Sequence, residues 1–413
     1  MSYKKYAIAG FSWQSIQKFL SAGVTFAKVY IIARLLTPND IGLFSLTMIA
    51  LGITESFTQT GINITMIQSK NPIRYYLSTA WVIAIIRGFV IGAIMVAMAF
   101  FMSQYYDQPD LLALISVTAF VPVLKGFINP AITSWQKDLD FYHDSLYSFI
   151  RQIAEVFFQI LLAFALRSVW ALALGVILSA AFEVLLSFFM LKERPVFLYI
   201  KSRGKEIFKN ARWLNVASFL SYLNDNVDDF LLGKIVGTAK LGIYHNAYSL
   251  SHQLNYELSK SAHHGIMPIF SQINHTNDQE RLNRAFKKSF WTLVLLVFAA
   301  SFPLLAFPNF IVNFVLGDQW LAAIPLLRIL TLAGIVHAIS NFCYALMISR
   351  KEYRFLNSHM LLLFFLTAGG ILWLGADQGL QGAVLAIFLA RLFSLPIALI
   401  GSRQALKEKV YVK

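Results

Sequence analysis

The chain has 413 residues, 57% hydrophobic and 14% charged, with a formal net charge of +14. Soluble domains carry about one charged residue in four, so composition excludes a soluble enzyme, and the basic excess is explained by where the lysines and arginines sit rather than by nucleic acid. One cysteine, Cys343, allows neither an intrachain disulfide nor a cysteine-ligated metal. The opening MSYKKYAIAG lacks a small-residue cleavage site and reads as the start of a retained first helix. A membrane-spanning helix needs about 20 mostly apolar residues. In chain order such segments are predicted at 11–36, 41–67, 76–102, 111–134, 145–166, 169–191, 213–236, 241–270, 288–312, 322–348, 356–375 and 379–402. The polar clusters between them are too short for an attached enzyme domain.

Charge orients these segments. Counting helix-end residues with the nearest loop, one side takes 23 Lys and Arg and the other at most 4, which places both termini and the sixth connection in the cytoplasm. Seven of the 23 lie in the sixth connection, KERPVFLYIKSRGKEIFKNAR, read as a solvated connector resting on anionic headgroups. The expected domains are 1–200 and 201–413, joined by this basic loop near 192–212.

A shift of 200 residues aligns Trp13 with Trp213, Phe19-Leu20-Ser21 with Phe219-Leu220-Ser221, and Gly42 with Gly242. ARLLTPNDIGLFSL then lies over GKIVGTAKLGIYHN, and at a shift of 214 QKDLDF lies over RKEYRF. Six helices per half return the chain to its starting side, so the halves share one orientation about a pseudo-twofold axis along the membrane normal. The expected fold is an all-α membrane protein of about twelve transmembrane helices in two six-helix bundles around a central cavity. That is the architecture of a transporter working by alternating access.

Polar stripes mark the faces that should line such a cavity. The first segment carries Gln14, Gln17, Lys18, Ser21, Thr25 and Lys28 at three- and four-residue spacing, and the seventh carries Ser218, Ser221, Asp225 and Asp228, with Asn224, Asn226 and Asp229 beside them. The second has Glu55, Gln59 and Asn63, and the eighth His245, Ser249, His252, Tyr256, Lys260 and His263. A central Lys, Arg or Asp costs about 2.5–3.5 kcal/mol to insert, so these residues face water, pair with counter-charges or carry protons. Arg87, Lys125 and Arg391 are central in their segments and belong to the same interior. Arg151 and Glu155, four apart, are expected to pair locally, and His337 to pack in the core. Glu183 and Glu257 also fall inside segments, but their spacing selects no role.

No metal-ligand spacing, phosphate-cradling glycine loop or catalytic constellation occurs. No cofactor is expected, and energy for transport would come from a gradient. Asp225, Asp228, Asp229 and Glu55 are the candidate coupling groups, for H+ or Na+.

The runs ARLLTPNDIGLFSL, NVDDFLLGKIVGTAKLGIYHNAYSL and FVLGDQWLAAIPLLRILTLAG resemble the polysaccharide transporter family, Wzx-type exporters of the MATE/oligosaccharidyl-lipid (MOP) superfamily, along nearly the whole chain. The family pattern of Asp, apolar residues, Gly, a basic residue and LG is matched by Asp228, Gly233 and Lys234, with Val236 where leucine is frequent. The resemblance implies a flippase moving undecaprenyl-diphosphate-linked oligosaccharide from the cytoplasmic to the periplasmic leaflet through a cationic cavity. Lys28, Lys260, Arg87, Lys125, Arg391 and Lys18 would then neutralise the diphosphate. Membrane lipids, a polysaccharide polymerase and a chain-length regulator are the expected partners. Alternatives are a cation-coupled exporter of small molecules on the same fold, and a non-transporting scaffold of the assembly complex. A membrane-embedded polymerase or glycosyltransferase would need long catalytic loops, which this sequence lacks.

Overall fold

The computed structural model describes residues 3–57, 62–275, 278–350 and 352–407. Among these residues there is no strand, and twelve long helical runs follow one another. The first half holds α1 (Tyr3–Leu35), α2 (Pro38–Phe57), α3 (Ile73–Tyr105), α4 (Asp110–Thr118, continued by Phe120–Gly126), α5 (Phe141–Leu166) and α6 (Val169–Met190). Then come α7 (Lys201–Val236), α8 (Thr238–His275), α9 (Gln279–Ala306), α10 (Ile324–Ser349), α11 (Tyr353–Gly370) and α12 (Ala376–Lys407). Each corresponds to one segment expected from hydropathy.

Among the described residues six segments are long and apolar enough to cross a membrane on those grounds alone: α3, α5, α6, α9, the run Asp318–Ser349 containing α10, and Tyr353–Lys407 comprising α11 and α12. A seventh is counted if α4 and its continuation Pro130–Lys137, bent by 64°, form one span. The remaining long helices are α1, α2, α7 and α8. They are the first two helices of each half, and they carry the polar stripes. A polar stripe on a helix is stable in a bilayer only where it is turned to protein or water.

The breaks have local causes. Asn129 precedes Pro130, which disfavours the helical conformation at Asn129 and removes one N–H from the next turn. Its backbone is accordingly extended, and its side chain caps the following turn by accepting from Ala131 N at 3.0 Å. Between α7 and α8 the chain reverses through Gly237 at φ +81°, a conformation that costs glycine little.

The matching turn between α1 and α2 has no glycine and relies on Asp40 instead. One carboxylate oxygen accepts from the Thr37 amide (3.0 Å) and hydroxyl (2.6 Å), while the other accepts from Val169 N at the start of α6 (2.9 Å). Asp40 thus serves two helix N-termini. Asp40→Ala is expected to cost about 1–2 kcal/mol, the usual value of such caps, and Asp40→Asn less. Unfolding of the purified variants in detergent checks this, and equal midpoints for Asp40→Ala and wild type would exclude the capping role.

By internal packing the chain divides into two units, Met1–Asn226 and Val227–Lys413, with the border inside α7. The start of α7 is fastened to the first unit. Ile207 is fully buried among Ile62, Met66, Ile73 and Tyr76, and Tyr76 Oη donates to Glu206 at 2.7 Å.

The preceding basic segment keeps Lys192, Arg194, Lys201 and Lys205 exposed, as a solvated connector should, and is also fastened to α3. Glu193 pairs with Arg74 at 3.3 Å, Val196 N donates to Ser78 Oγ (3.2 Å), Ile200 N to Thr79 Oγ1 (3.2 Å), and the Arg203 guanidinium lies 4.0 Å from the Tyr75 ring centroid. Hydroxyls and aromatic faces at the start of α3 satisfy groups that a hydropathy reading leaves to water. In the second unit the rings of Phe270, Phe286 and Phe342 pack together, with Cys343 in the same core as a small hydrophobe.

Candidate functional site

In the first unit the polar stripe of α1 meets a matching stripe on α5. Gln152 Nε2 donates to Ser21 O and Thr25 Oγ1, each at 3.1 Å. One turn further, Lys28 Nζ pairs with Glu155 Oε1 at 3.5 Å, and Gln159 Nε2 reaches the same carboxylate at 3.5 Å. Lys28 and Glu155 retain 26% and 33% of their side-chain exposure, so the pair is reachable from outside the unit. Arg151 points elsewhere: its Nε lies 3.6 Å from Glu183 Oε1 on α6, which also accepts from Tyr147 Oη at 3.2 Å. The local Arg151–Glu155 pair expected from four-residue spacing is therefore replaced by two interhelical pairs. Within low-dielectric surroundings a partner across the helix interface satisfies each charge where an i,i+4 neighbour would leave the facing helix uncompensated.

A second charged group lies where α2, α3 and α4 meet. Lys125 Nζ is 3.3 Å from Glu55 Oε1, and Arg87 Nη2 donates to the Glu55 carbonyl at 3.1 Å. The three residues line a cavity of about 240 Å³, whose other walls include Gly88, Ile91 and Gly126. The glycines explain the placement. A Cβ on Gly126 would stand 2.8 Å from Ala84 O, and one on Gly88 would strike the Pro122 carbonyl, so α3 and α4 approach closely only because both positions are bare. Each cation directly precedes one of these glycines in the chain, which fixes it at the rim of the close contact.

In the second unit the charges gather around α8. Asp228, 7% exposed, accepts from Tyr244 Oη at 2.5 Å and from Asp229 N at 3.0 Å. Asp229 faces His245 at 3.4 Å. From Tyr244 the rings of Tyr248, His252 and Tyr256 follow at four-residue intervals, with centroids 5.6, 4.6 and 5.7 Å apart, and Lys260 Nζ ends the ladder 5.3 Å from the Tyr256 ring. Arg391 on α12, 9% exposed, lies against the ladder, donating to Tyr248 Oη at 3.1 Å and lying 3.5 Å from His252 Nδ1. Its charge also acts on Asp228. His337 on α10 packs against His252 with centroids 4.9 Å apart.

The sequence-predicted residues thus form three groups. Lys28 joins Glu155; Arg87, Lys125 and Glu55 share a cavity; Asp228, Asp229, Arg391 and Lys260 surround one face of α8. Asp225 is exposed, unlike Asp228 one turn on. The side chains of Lys18, Gln14, Ser218, Ser221 and His263 lie outside the described residues, as does Gln59.

Sequence reasoning passed over Gln152, Gln159, Tyr244 and Tyr248 and assigned Glu155 and Glu183 no part in a site. Polar residues at 152, 155 and 159 do form a helical stripe, and Tyr244, Tyr248, His252 and Tyr256 repeat every fourth residue. Both signals were present but carried less weight than isolated charges.

Twelve helical runs with ion pairs inside their apolar segments define a multi-pass membrane protein, and its fold is that of the MOP transporter superfamily. An inward-closed structure of the lipid II flippase MurJ superposes with a TM-score of 0.72 at 14% identity, covering 94% of this chain and 87% of that one. An inward-facing MATE-family multidrug resistance transporter of the MOP superfamily gives 0.71 at 15% identity, covering 96% and 98%. The chain belongs to the polysaccharide biosynthesis protein family, whose model matches residues 31–325. It is similar to the lipopolysaccharide biosynthesis protein WzxC of Escherichia coli K12, 23% identical over 402 residues that span 95% of this chain and 80% of WzxC.

Proposed function

We propose that this protein is a flippase that carries undecaprenyl-diphosphate-linked oligosaccharide from the cytoplasmic to the periplasmic leaflet of the bacterial inner membrane, with both termini in the cytoplasm. The observation that carries the reading is membership of a polysaccharide biosynthesis family in a chain whose apolar helices hold paired charges at mid-segment. A diphosphate is a dense anion, and cations inside the bundle offset its loss of water while the isoprenoid tail stays in lipid. Lys28, Arg87, Lys125, Lys260 and Arg391 are the cations assigned to it. Transport needs no bond-making step, and no residue is given a catalytic role.

Asp228, with Asp229 and Asp225, is the proposed coupling group. Its carboxylate is held by Tyr244 beside Arg391, so a change in its charge would alter the grip of α8 on α12. H+ and Na+ are the candidate ions, and transport into vesicles that ignored both a pH gradient and a sodium gradient would remove this assignment. The aromatic ladder on α8 favours a second reading, a small-molecule exporter, because stacked rings beside carboxylates suit organic cations.

One experiment separates the two. A strain lacking the gene should accumulate one lipid-linked oligosaccharide on the inner leaflet and lose the matching surface polysaccharide, both restored by the wild-type gene. Unchanged polysaccharide with increased sensitivity to cationic drugs would instead support the exporter. A polymerase and a chain-length regulator are the proposed protein partners, to be sought by crosslinking in the complemented strain.

A further inference from the structure

The cavity bounded by Glu55, Arg87 and Lys125 lies wholly within the first unit and has an unbalanced charge: two cations face one carboxylate, and the neighbouring walls at Gly88, Ile91 and Gly126 are apolar. We infer that this cavity is a phosphate subsite in which Glu55 occupies the place that an incoming phosphate takes. Only the source of the phosphate rests on the flippase reading; the anion chemistry stands on the cavity itself.

Donor geometry favours an exchangeable ligand. Arg87 commits one Nη to a backbone carbonyl, while its buried Nε has no hydrogen-bond partner among the described residues. A guanidinium edge with an unused N–H is suited to the paired oxygens of phosphate. The Lys125–Glu55 separation of 3.3 Å is longer than the roughly 2.7–2.9 Å of a strong charge-assisted bond, so the lysine is loosely held. Lys125 and Glu55 keep 38% and 33% of their exposure, which leaves the pair accessible.

Volume narrows the ligand. About 240 Å³ falls below the ~300 Å³ at which small-molecule sites begin, so the cavity admits a phosphate group with its waters and leaves an oligosaccharide outside. On entry the phosphate takes the Lys125 ammonium and the accessible part of the Arg87 guanidinium, and Glu55 is displaced by like-charge repulsion. When Glu55 returns to Lys125 the anion is expelled. The site resets without a covalent step, because its own carboxylate competes with the ligand.

The test uses the full-length protein in phosphatidylcholine nanodiscs. One arm titrates inorganic pyrophosphate, and the other places undecaprenyl phosphate in the disc; binding is read by calorimetry in the first and by the unfolding midpoint in the second. Arg87→Gln and Lys125→Gln should weaken binding by about tenfold or more, the value of one lost charge-assisted hydrogen bond, whereas Lys125→Arg should retain it. Glu55→Gln should tighten binding by about fivefold or more, and Glu55→Ala should act in the same direction. A purely structural ion pair predicts the opposite sign for both Glu55 variants.

Binding in both arms indicates phosphate chemistry alone, and binding in the lipid arm only indicates a headgroup; either supports the subsite. No binding by wild type in either arm, or Glu55 variants that bind no tighter, would overturn it. Export measured with the same proteins separates the two claims. Wild type that exports polysaccharide without anion binding removes the subsite and leaves the flippase standing, and anion binding without export does the reverse.

Discussion

Arg391→Leu is expected to abolish polysaccharide export and to destabilise the second unit by about 3–5 kcal/mol, the cost of leaving a buried charge without its counter-charge. Arg391 is 9% exposed, holds the Tyr248 hydroxyl at 3.1 Å and offsets the charge of Asp228, itself 7% exposed. With the guanidinium gone, Asp228 keeps Tyr244 and the Asp229 amide but loses its cation. The unfolding midpoint of purified protein and surface polysaccharide in a complemented deletion strain are the two measurements. Because removing both partners of a buried pair is often nearly neutral, Asp228→Asn combined with Arg391→Leu should recover most of the lost stability while export stays absent. A double variant no more stable than Arg391→Leu would mean that the two charges do not act on one another.

Lys28→Ala is expected to reduce export by about tenfold or more with the amount of protein in the membrane unchanged, as expected when one phosphate-directed cation is lost. Asp228→Ala is also expected to lose export, but with a lowered unfolding midpoint, because it leaves the buried Arg391 and Tyr244 without the carboxylate. Lys28 is joined to Glu155 across α1 and α5 at a distance of 3.5 Å, with both side chains partly exposed. Folding depends little on such a pair, since exposed ion pairs contribute little to stability. Function depends on which charge is presented at that place. Exchanging the two residues, Lys28→Glu with Glu155→Lys, should therefore leave insertion and stability unchanged and still not give full export. Wild-type polysaccharide from Lys28→Ala and Asp228→Ala would sink the role given to the charged stripes.

Particular residues show how far the sequence could be read. The twelve helices were legible because hydropathy over some twenty residues averages out local detail. The polar stripes of α1, α2, α7 and α8 were legible too, because polar residues three and four apart necessarily share a face. Glu55, Arg87 and Lys125 show the opposite case. Each is visible as a mid-segment charge, yet they lie on three different helices, and nothing in residues 55, 87 and 125 states that those helices meet there. The close contact of α3 and α4 depends on Gly88 and Gly126 being bare against the Pro122 and Ala84 carbonyls, a property of the packed pair and not of either helix.

Arg151 and the 192–207 segment show why local rules fail at such places. Four-residue spacing allows a pair between Arg151 and Glu155, but the facing helices α1 and α6 bring Lys28 and Glu183 closer to need, and each charge takes the partner across the interface. Basic residues after α6 suggest a segment left to water and headgroups, and Lys192, Arg194, Lys201 and Lys205 are exposed, but the segment also donates backbone N–H groups to Ser78 and Thr79, lays Arg203 on Tyr75 and accepts from Tyr76 through Glu206.

What the amino-acid order determined by itself was the membrane class, the order of the helices and which of them carry polar stripes, because each follows from averages or periodicities along one chain. Only tertiary structure decided which charges are partners: Lys28 with Glu155, Lys125 with Glu55, Arg391 with the Tyr248 ladder. The physical reason is that a charge in an apolar medium binds the nearest complementary group in space, and nearness across helices is set by packing at glycines and polar seams that no single helix contains.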